Sequence, residues 1–447
     1  MVRLVFLLSI LVHVAQATHL RGGYISVKRI SPASLTCKIK VTVFVNTGSP
    51  INFGGEGELR FGDGTSMIVP ELNSTPRPDL GPGVGWVEFT IDHQFLREGG
   101  YLITYTEPNR NAGIINMSNS VDTRFHLESY ILLDNQKPAA IDPVNPLGFQ
   151  SISQSSISFS VGAHDYSDYR LQYSLITPKQ SLGRPVVQYS VPAGVSLNPF
   201  NGLFSWIFPP NNTFVGEYAF AVRVEAYDQQ DKLRGFNVFD FQVMVIDAVA
   251  GNVSVSDNRN LDENNRIYTA TEESISITFQ ISPPPFTVDS WKLSLHTFLP
   301  AENASLTISE TSTSRVGLLR LKNTPSIQRA NPYLVVVRAS ISGFVYDIPY
   351  MFFTQDTDYN NVIPFPEDMF ELENPPERLL LYPNPTDGFL TFQDLTGQSA
   401  RFSILKLTGE EIASGQIEWS STLDLWSLAP GMYIVRINDE YFRIVKK

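Results

Sequence analysis

PAGVSLNPFNGLFSWIFPPNNTFVGEYAF, residues 192–220, is the stretch whose reading decides the fold. Pro192 to Pro199 is followed by Asn201-Gly202-Leu203-Phe204-Ser205-Trp206, and Asn201-Gly202 is expected to form a tight hairpin because these residues accept positive φ. Trp206 is large enough to fill the space between two facing sheets. A strand, a turn and a Trp-bearing strand, followed by Val215-Gly216-Glu217-Tyr218-Ala219-Phe220, predict a β-sandwich.

The rest of the chain agrees with this reading. Its 447 residues include 29 Phe, 18 Tyr, 30 Pro and 29 Gly, a composition rich in strand formers and in turn residues. A length of 447 residues predicts several domains, so the expected fold class is all-β, built of tandem Ig-like β-sandwiches. With 43% apolar and 17% charged residues the chain has the material to bury cores. The single cysteine, Cys37, excludes an internal disulfide and a Cys-rich zinc cluster. A net charge of −12 without a basic tail argues against nucleic acid as a partner.

Both ends carry addresses. Residues 1–17, MVRLVFLLSILVHVAQA, place Arg3 before an 11-residue apolar stretch and end in Ala15-Gln16-Ala17, the pattern of an export signal cleaved after Ala17. The apolar stretch is far short of the roughly 20 residues a membrane span needs, and no transmembrane anchor is expected elsewhere. At the other end, 378–447, Tyr382-Pro383-Asn384-Pro385 is stiff and extended because each Pro restricts its own φ and its predecessor. Strands are expected at Phe389 to Phe392, Phe402 to Leu407, Thr422 to Leu425, Met432 to Ile437 and Tyr441 to Val445. These features, with Gly388, the LTGEEI turn at 407–412 and SLAPGMYIVRI at 427–437 (containing Pro430, Gly431 and Tyr433), resemble the C-terminal sorting domain of the type IX secretion system of Bacteroidota. The resemblance implies the type IX machinery as a partner, a secreted or cell-surface location, and removal of the tail within or near 354–378.

Proline- and acid-rich interruptions at 134–148, 247–266 and 354–377 divide the interior into expected sandwiches at 18–133, 149–247 and 267–353, with 354–377 an extended linker. In the first, Leu59-Arg60-Phe61-Gly62-Asp63-Gly64-Thr65, then His93-Gln94-Phe95 and Gly99-Gly100-Tyr101, resemble the PKD type of Ig-like domain. The run from Glu107-Pro108-Asn109-Arg110-Asn111-Ala112-Gly113 to Asn119-Ser120 resembles a variant common in secreted Bacteroidota surface proteins. The second resembles the cadherin-like Ig domains of bacterial surface proteins, on the residues quoted at the outset. The third alternates at Ile275, Ile277, Phe279 and Ile281 and resembles no family.

Chemistry-bearing patterns are sparse. His19, His93, His126, His164 and His296 show no short zinc spacing, and no Gly-x-Ser-x-Gly elbow is present. Glu272-Glu273 and Glu410-Glu411 read as solvated turn pairs, and Gly54-Gly55-Glu56-Gly57 lacks the helix and Lys that a phosphate cradle needs. One cluster of hard oxygen ligands, Asp165, Asp168, Asp228 and Asp231, is the candidate calcium site, and Trp86, Tyr166 and Tyr169 are candidate sugar-stacking aromatics. The expected function is a non-enzymatic surface protein of adhesin or scaffold type without an obligate cofactor, acting on glycans, matrix or surface proteins. The alternative is a secreted hydrolase with an unrecognised active site in 267–353.

Overall fold

The computed structural model describes residues 20–48, 53–78, 80, 83–145, 149–152, 157–180, 184–209, 214–246, 254–257, 265–282, 291–310, 315–341, 344–355, 379–382, 386, 388–394, 399–406, 410–417, 420–437 and 440–446. The export signal, most of the 354–377 linker and Pro383 to Pro385 lie outside these residues. Among the described residues the regular elements are strands and short 3-10 turns such as Ser120–Asp122 and Pro325–Ile327. No described helix is long and apolar enough to cross a membrane.

The first core forms between the antiparallel strands Leu20–Arg29, Thr36–Asn46 and Val84–Gln94 on one side and Gly99–Glu107 and Phe125–Leu133 on the other. Period-two alternation sends Ile39, Val41 and Val43 inward against Tyr105, Phe125 and Leu127. The opposite face of this sheet is covered as well. Tyr24 and Phe44 belong to the second core, and Tyr24 meets the Phe239 ring edge-on at 5.6 Å. At the Phe61-Gly62-Asp63-Gly64 turn, Phe61 stacks on His93 at 3.9 Å, and His93 Nε2 lies 2.7 Å from Asp63 Oδ2. Turn and strand are thereby fastened together.

The second core is a ring cluster in which Phe159, Phe204, Trp206, Phe220 and Phe241 are all buried. Trp206 fills the inter-sheet space as the sequence predicts, and its Nε1–H donates to Ala193 O at 3.1 Å, so its one polar atom is satisfied. The turn before it differs from expectation. Val195–Leu197 pairs with Leu203–Trp206 through a longer connection, 198–202, closed by Asn198 Oδ1, which accepts from Phe200 N and Asn201 N. Pro199 cannot continue the ladder, so the chain leaves the strand early and Gly202 supplies the positive φ of 68° at the loop's end.

The third core lies between the sheet of Ser254–Asp257, Ser274–Ser282, Arg315–Lys322 and Ala304–Glu310 and the layer of Trp291–Thr297, Tyr333–Ile341 and Phe344–Phe353. Ile277, Phe279, Leu319 and Leu321 face Val335, Val337, Tyr350 and Phe352 across it. The fourth packs Leu379–Tyr382, Phe389–Asp394 and Ser420–Asp424 on Glu411–Ile417, Ala400–Lys406, Gly431–Ile437 and Glu440–Lys446. Two strands here escape the sequence reading. Glu411–Ile417 carries Gly415 and little apolar character because it is a largely exposed edge, and Leu379–Tyr382 precedes the stiff Pro segment.

One element joins the interior cores. Leu233–Ile246 pairs antiparallel with Gly216–Tyr227 in the second core and with Phe125–Leu133 and, at Gly23 opposite Asp240, Leu20–Arg29 in the first. Phe149–Ile152 pairs parallel with it, and this strand and Ile157–Ser160 bridge in turn to Phe344–Phe353 of the third core. The crossing at Asp240 needs Gly22: a Cβ there would stand 2.3 Å from the Asp240 carbonyl oxygen, at a φ of +151°.

Trp206→Ala should lower the unfolding free energy by about 3–5 kcal/mol, the usual cost of a large buried aromatic. A urea titration of the full chain, followed by circular dichroism, measures it.

Candidate functional site

The segment 107–119, singled out in the sequence only by resemblance, latches the first core to the second. Arg110 is fully buried and forks onto Asp240, Nη1 to Oδ1 at 2.9 Å and Nη2 to Oδ2 at 2.6 Å, with a further bond from Nη2 to Lys179 O. Asn111 donates to Glu217 and accepts from Gln242, while Asn116 pairs both backbone groups of Ala219 as a strand would. Lys179 crosses the same boundary to buried Glu128 at 2.8 Å. Burial pushes the Glu128 carboxyl up, but Lys179 and His126 outweigh it and hold the group below the usual carboxylate range. These contacts make the boundary a built interface rather than a flexible joint.

The junction of the second and third cores is clasped at Asp168, which the turn holds at a φ of 63°. Its carboxylate accepts Arg329 Nε at 2.9 Å, Asn331 N at 3.0 Å and Ala330 N at 2.7 Å, all from the loop leading into Tyr333–Ile341. Arg329 also donates Nη2 to Asp165 O and Nη1 to the His164 ring. His164 stacks on Phe298 of the third core at 4.7 Å. Burial first, then the neighbouring Arg329 charge, hold its pKa down to about 3, so the ring is neutral and can accept. Deeper in, Asp347 takes a bidentate fork from Arg338 and accepts Ser160 N at 2.8 Å across the boundary.

Between these two cores lies a cavity of about 230 Å³. Its second-core wall includes His164, Asp165, Tyr169, Arg170, Tyr173 and Asn201; its third-core wall includes Arg266, Arg329, Asn331, Met351 and Phe353. Met351 and Phe353 alternate with core-facing Tyr350 and Phe352, so the strand that closes the third core also presents this wall. Burial pushes the Asp165 pKa up to about 6 against the amides of Tyr169 and Ala140 that its carboxylate accepts.

The calcium expectation is corrected by this geometry. Among the described residues no three or more His, Cys, Asp or Glu gather as a metal-holding group. Asp165 binds amides, Asp168 binds the 329–331 loop, Asp228 caps its own hairpin through Gln230 N and Lys232 N, and Asp231 pairs with Arg170 at 2.7 Å. A guanidinium supplies at the Asp168 junction the positive charge that sequence reasoning assigned to a metal, and Arg329 lies too far along the chain for spacing to reveal it.

Other candidates also find ordinary partners. Trp86 packs against the second core with Arg77 over its ring at 4.1 Å. Tyr166 remains exposed, under Lys28 at 3.8 Å, and Tyr169 donates to Lys137 O while facing the cavity. The amide of Gly54, in the candidate phosphate cradle, donates to Glu107. Glu273 caps Ala270 N and Glu410 pairs with Lys406. Among the described residues of 267–353, Ser294 Oγ lies 2.9 Å from His296 Nε2 on the same strand. The carboxylate near it, Asp347, is committed to Arg338 and Ser160 rather than to the imidazole that a triad would have it orient. Burial and then the Arg338 charge press the His296 pKa to about 4, a poor value for a general base.

Of the sorting-motif residues, Tyr382 pairs its backbone with Thr391, and a Cβ on Gly388 would run into the Trp426 ring at 2.5 Å. Pro430 and Gly431 are exposed, and buried Tyr433 donates to Ala429 O at 2.8 Å.

The architecture is that of an all-β protein of tandem Ig-like sandwiches. Residues 380–447 match the family described as "Secretion system C-terminal sorting domain", and residues 141–243 match "Putative Ig domain". The chain is a multidomain protein with a type IX sorting tail and Ig-like modules, directed to the cell surface or the medium. Similar solved structures include a chain of the crystal structure of Dpr2 Ig1-Ig2 in complex with DIP-Theta Ig1-Ig3, at 10% identity and a TM-score of 0.18, covering 71% of this chain and 93% of that one. A titin A168169 structure is 13% identical with a TM-score of 0.18, covering 49% of this chain and 100% of that one. No curated protein matches the chain.

Two outcomes follow from the junction chemistry. EDTA should leave the melting curve of the full chain unchanged, and a drop in Tm on chelation would restore a metal to these loops. Because His164 is held near 3 in the fold against an ordinary 6.5, the unfolded chain takes up a proton that the native chain refuses. Its contribution to stability is therefore lost as pH falls through 6.5 towards 3. Asp165, raised to about 6, acts in the opposite sense below that pH and is common to both proteins compared. Urea titrations at pH 7 and pH 4 should show a smaller acid loss in His164→Gln than in the parent.

Proposed function

We propose that this is a non-catalytic adhesive or scaffold protein of the cell surface, in which three Ig-like modules, 18–133, 149–247 and 267–353, present one continuous binding body. The 354–377 segment links that body to the sorting domain at 378–447. The chain enters the periplasm by the 1–17 signal, is cut after Ala17, and crosses the outer membrane through the type IX machinery. Its ligands are glycans, matrix or surface proteins.

The observation that carries the reading is the continuity of the interior, where strands of all three cores run in one hydrogen-bonded network fastened by the Arg110–Asp240 and Asp168–Arg329 pairs. Such a body holds its exposed surfaces in fixed relation, which suits binding. The Arg110–Asp240 and Asp168–Arg329 groups at its junctions are committed to one another, an arrangement that serves rigidity. A hydrolase would need an acid–base pair or nucleophile free to meet substrate.

The export half of the reading has a direct test. Glu440–Lys446 pairs with Gly431–Ile437 at the margin of its sheet and bridges to Thr386 on its other side, and it contributes fully buried Ile444 with partly buried Phe442 to the fourth core. Each such side chain is worth about 1.5–3 kcal/mol of burial, a large share of a small domain's stability. Deleting residues 440–447 should leave the protein in the periplasm, while the full chain reaches the surface or medium. Immunoblots of cell fractions from a host with a working type IX system measure this, and normal delivery of the truncated form contradicts the reading.

A further inference from the structure

We propose that the cavity between the second and third modules is a receptor for a single uncharged aromatic ring. This inference rests on the ligand-binding reading above and names the ligand class for one site within it.

The polar part of the lining is already served by the protein itself. Arg329 is paired with Asp168, Arg170 with Asp231, and Arg266 too is engaged within the chain. Asp165 accepts the amides of Ala140, Ser167 and Tyr169, His164 stands against Arg329, and Asn331 donates to Asp168. Among the described residues, none of the buried side-chain nitrogens or oxygens that lack a hydrogen bond belongs to a lining residue. A charged or polyhydroxylated ligand would therefore give up water without an orphaned partner waiting for it, whereas an uncharged ring gives up little and gains burial.

The remaining wall favours a ring. Leu171 and Tyr173 come from the second module and Leu334, Met351 and Phe353 from the third, so a ligand in this space touches apolar side chains of both. A thioether and aromatic rings both make favourable contacts with an inserted ring. A guanidinium bonded through its N–H edges keeps its planar faces for π contact. This junction already uses that arrangement, with Arg329 Cζ 4.9 Å from the Tyr333 ring centre and Arg170 Cζ 5.1 Å from that of Tyr227. An aliphatic group would draw on burial alone. At about 230 Å³ the cavity exceeds the roughly 150 Å³ that holds a benzene and falls short of the pockets that take drug-sized ligands, so it suits one substituted ring.

Titration of the full chain, with isotope-labelled methionine methyls followed by nuclear magnetic resonance, tests this; the Met351 signal is the one missing from Met351→Leu. The bare ring p-cresol should shift that methyl saturably, while cyclohexanol binds at least threefold more weakly and D-glucose and D-glucuronate at least tenfold. High salt should leave the p-cresol affinity unchanged, because the ring carries no charge to screen. Met351→Trp, whose indole should occupy the space, should weaken p-cresol binding tenfold or more by calorimetry. N-acetyl-L-tyrosinamide carries the same ring on a backbone: its binding assigns the site to a side chain of a partner polypeptide, and p-cresol binding alone assigns it to a free aromatic compound. A Met351 methyl that does not move, glucose or glucuronate equal to p-cresol, cyclohexanol equal to p-cresol, or full p-cresol affinity in Met351→Trp would each overturn the proposal. If every ring fails while the chain still adheres to glycans or matrix, the cavity assignment falls and the adhesive reading stands.

Discussion

The Arg110–Asp240 fork is the interaction on which the interior depends. Two charges taken almost completely out of water are costly unless each closes its hydrogen bonds on the other, and a break on either side leaves an uncompensated buried charge. The pair therefore dictates geometry. It holds the 107–119 segment against the strand Leu233–Ile246, and that strand carries hydrogen bonds into the first and second cores. Burial of Tyr24 and Phe44 against the second core follows, because their sheet can no longer face water. With one cysteine, itself buried in the first core, the chain uses guanidinium–carboxylate forks where other exported proteins use disulfides.

The second junction repeats the device with a different result. Arg338 and Asp347 sit on neighbouring strands of the third core, and the spare oxygen capacity of Asp347 reaches the Ser160 amide of the second. Asp168 reverses the direction, offering a second-core carboxylate to a third-core arginine and two amides. Contacts that cross both ways fix two modules in register, and the space left between them is the cavity whose walls come from both. A site of this kind exists only while the junction holds, so the forks that look purely structural also define the shape available to a ligand.

Much of the fold was legible because it rests on local patterning. Alternation at Ile275, Ile277 and Phe279, the burial of Trp206 and the strands Phe389 onward and Met432 to Ile437 follow from side-chain period and turn chemistry alone. What escaped was non-local or weakly patterned. The Asn201-Gly202 turn lengthened because Pro199 and the Asn198 side chain impose a loop of their own. Glu411–Ile417 has the composition of a turn because an exposed edge needs few apolar residues. The site was less legible than the fold. Asp165 and Asp168 were visible as a polar cluster, but Arg329, which settles what Asp168 does, lies 161 residues away. Arg110, embedded in a run noticed only by resemblance, gave no sign that it would be buried.

The central claim is that the three interior cores form one cooperative body. Differential scanning calorimetry of the full chain tests it most directly. The account predicts that the interior unfolds in a single transition, with calorimetric and van't Hoff enthalpies in agreement, apart from any separate transition of the sorting domain. Independent transitions for the first, second and third cores would contradict it.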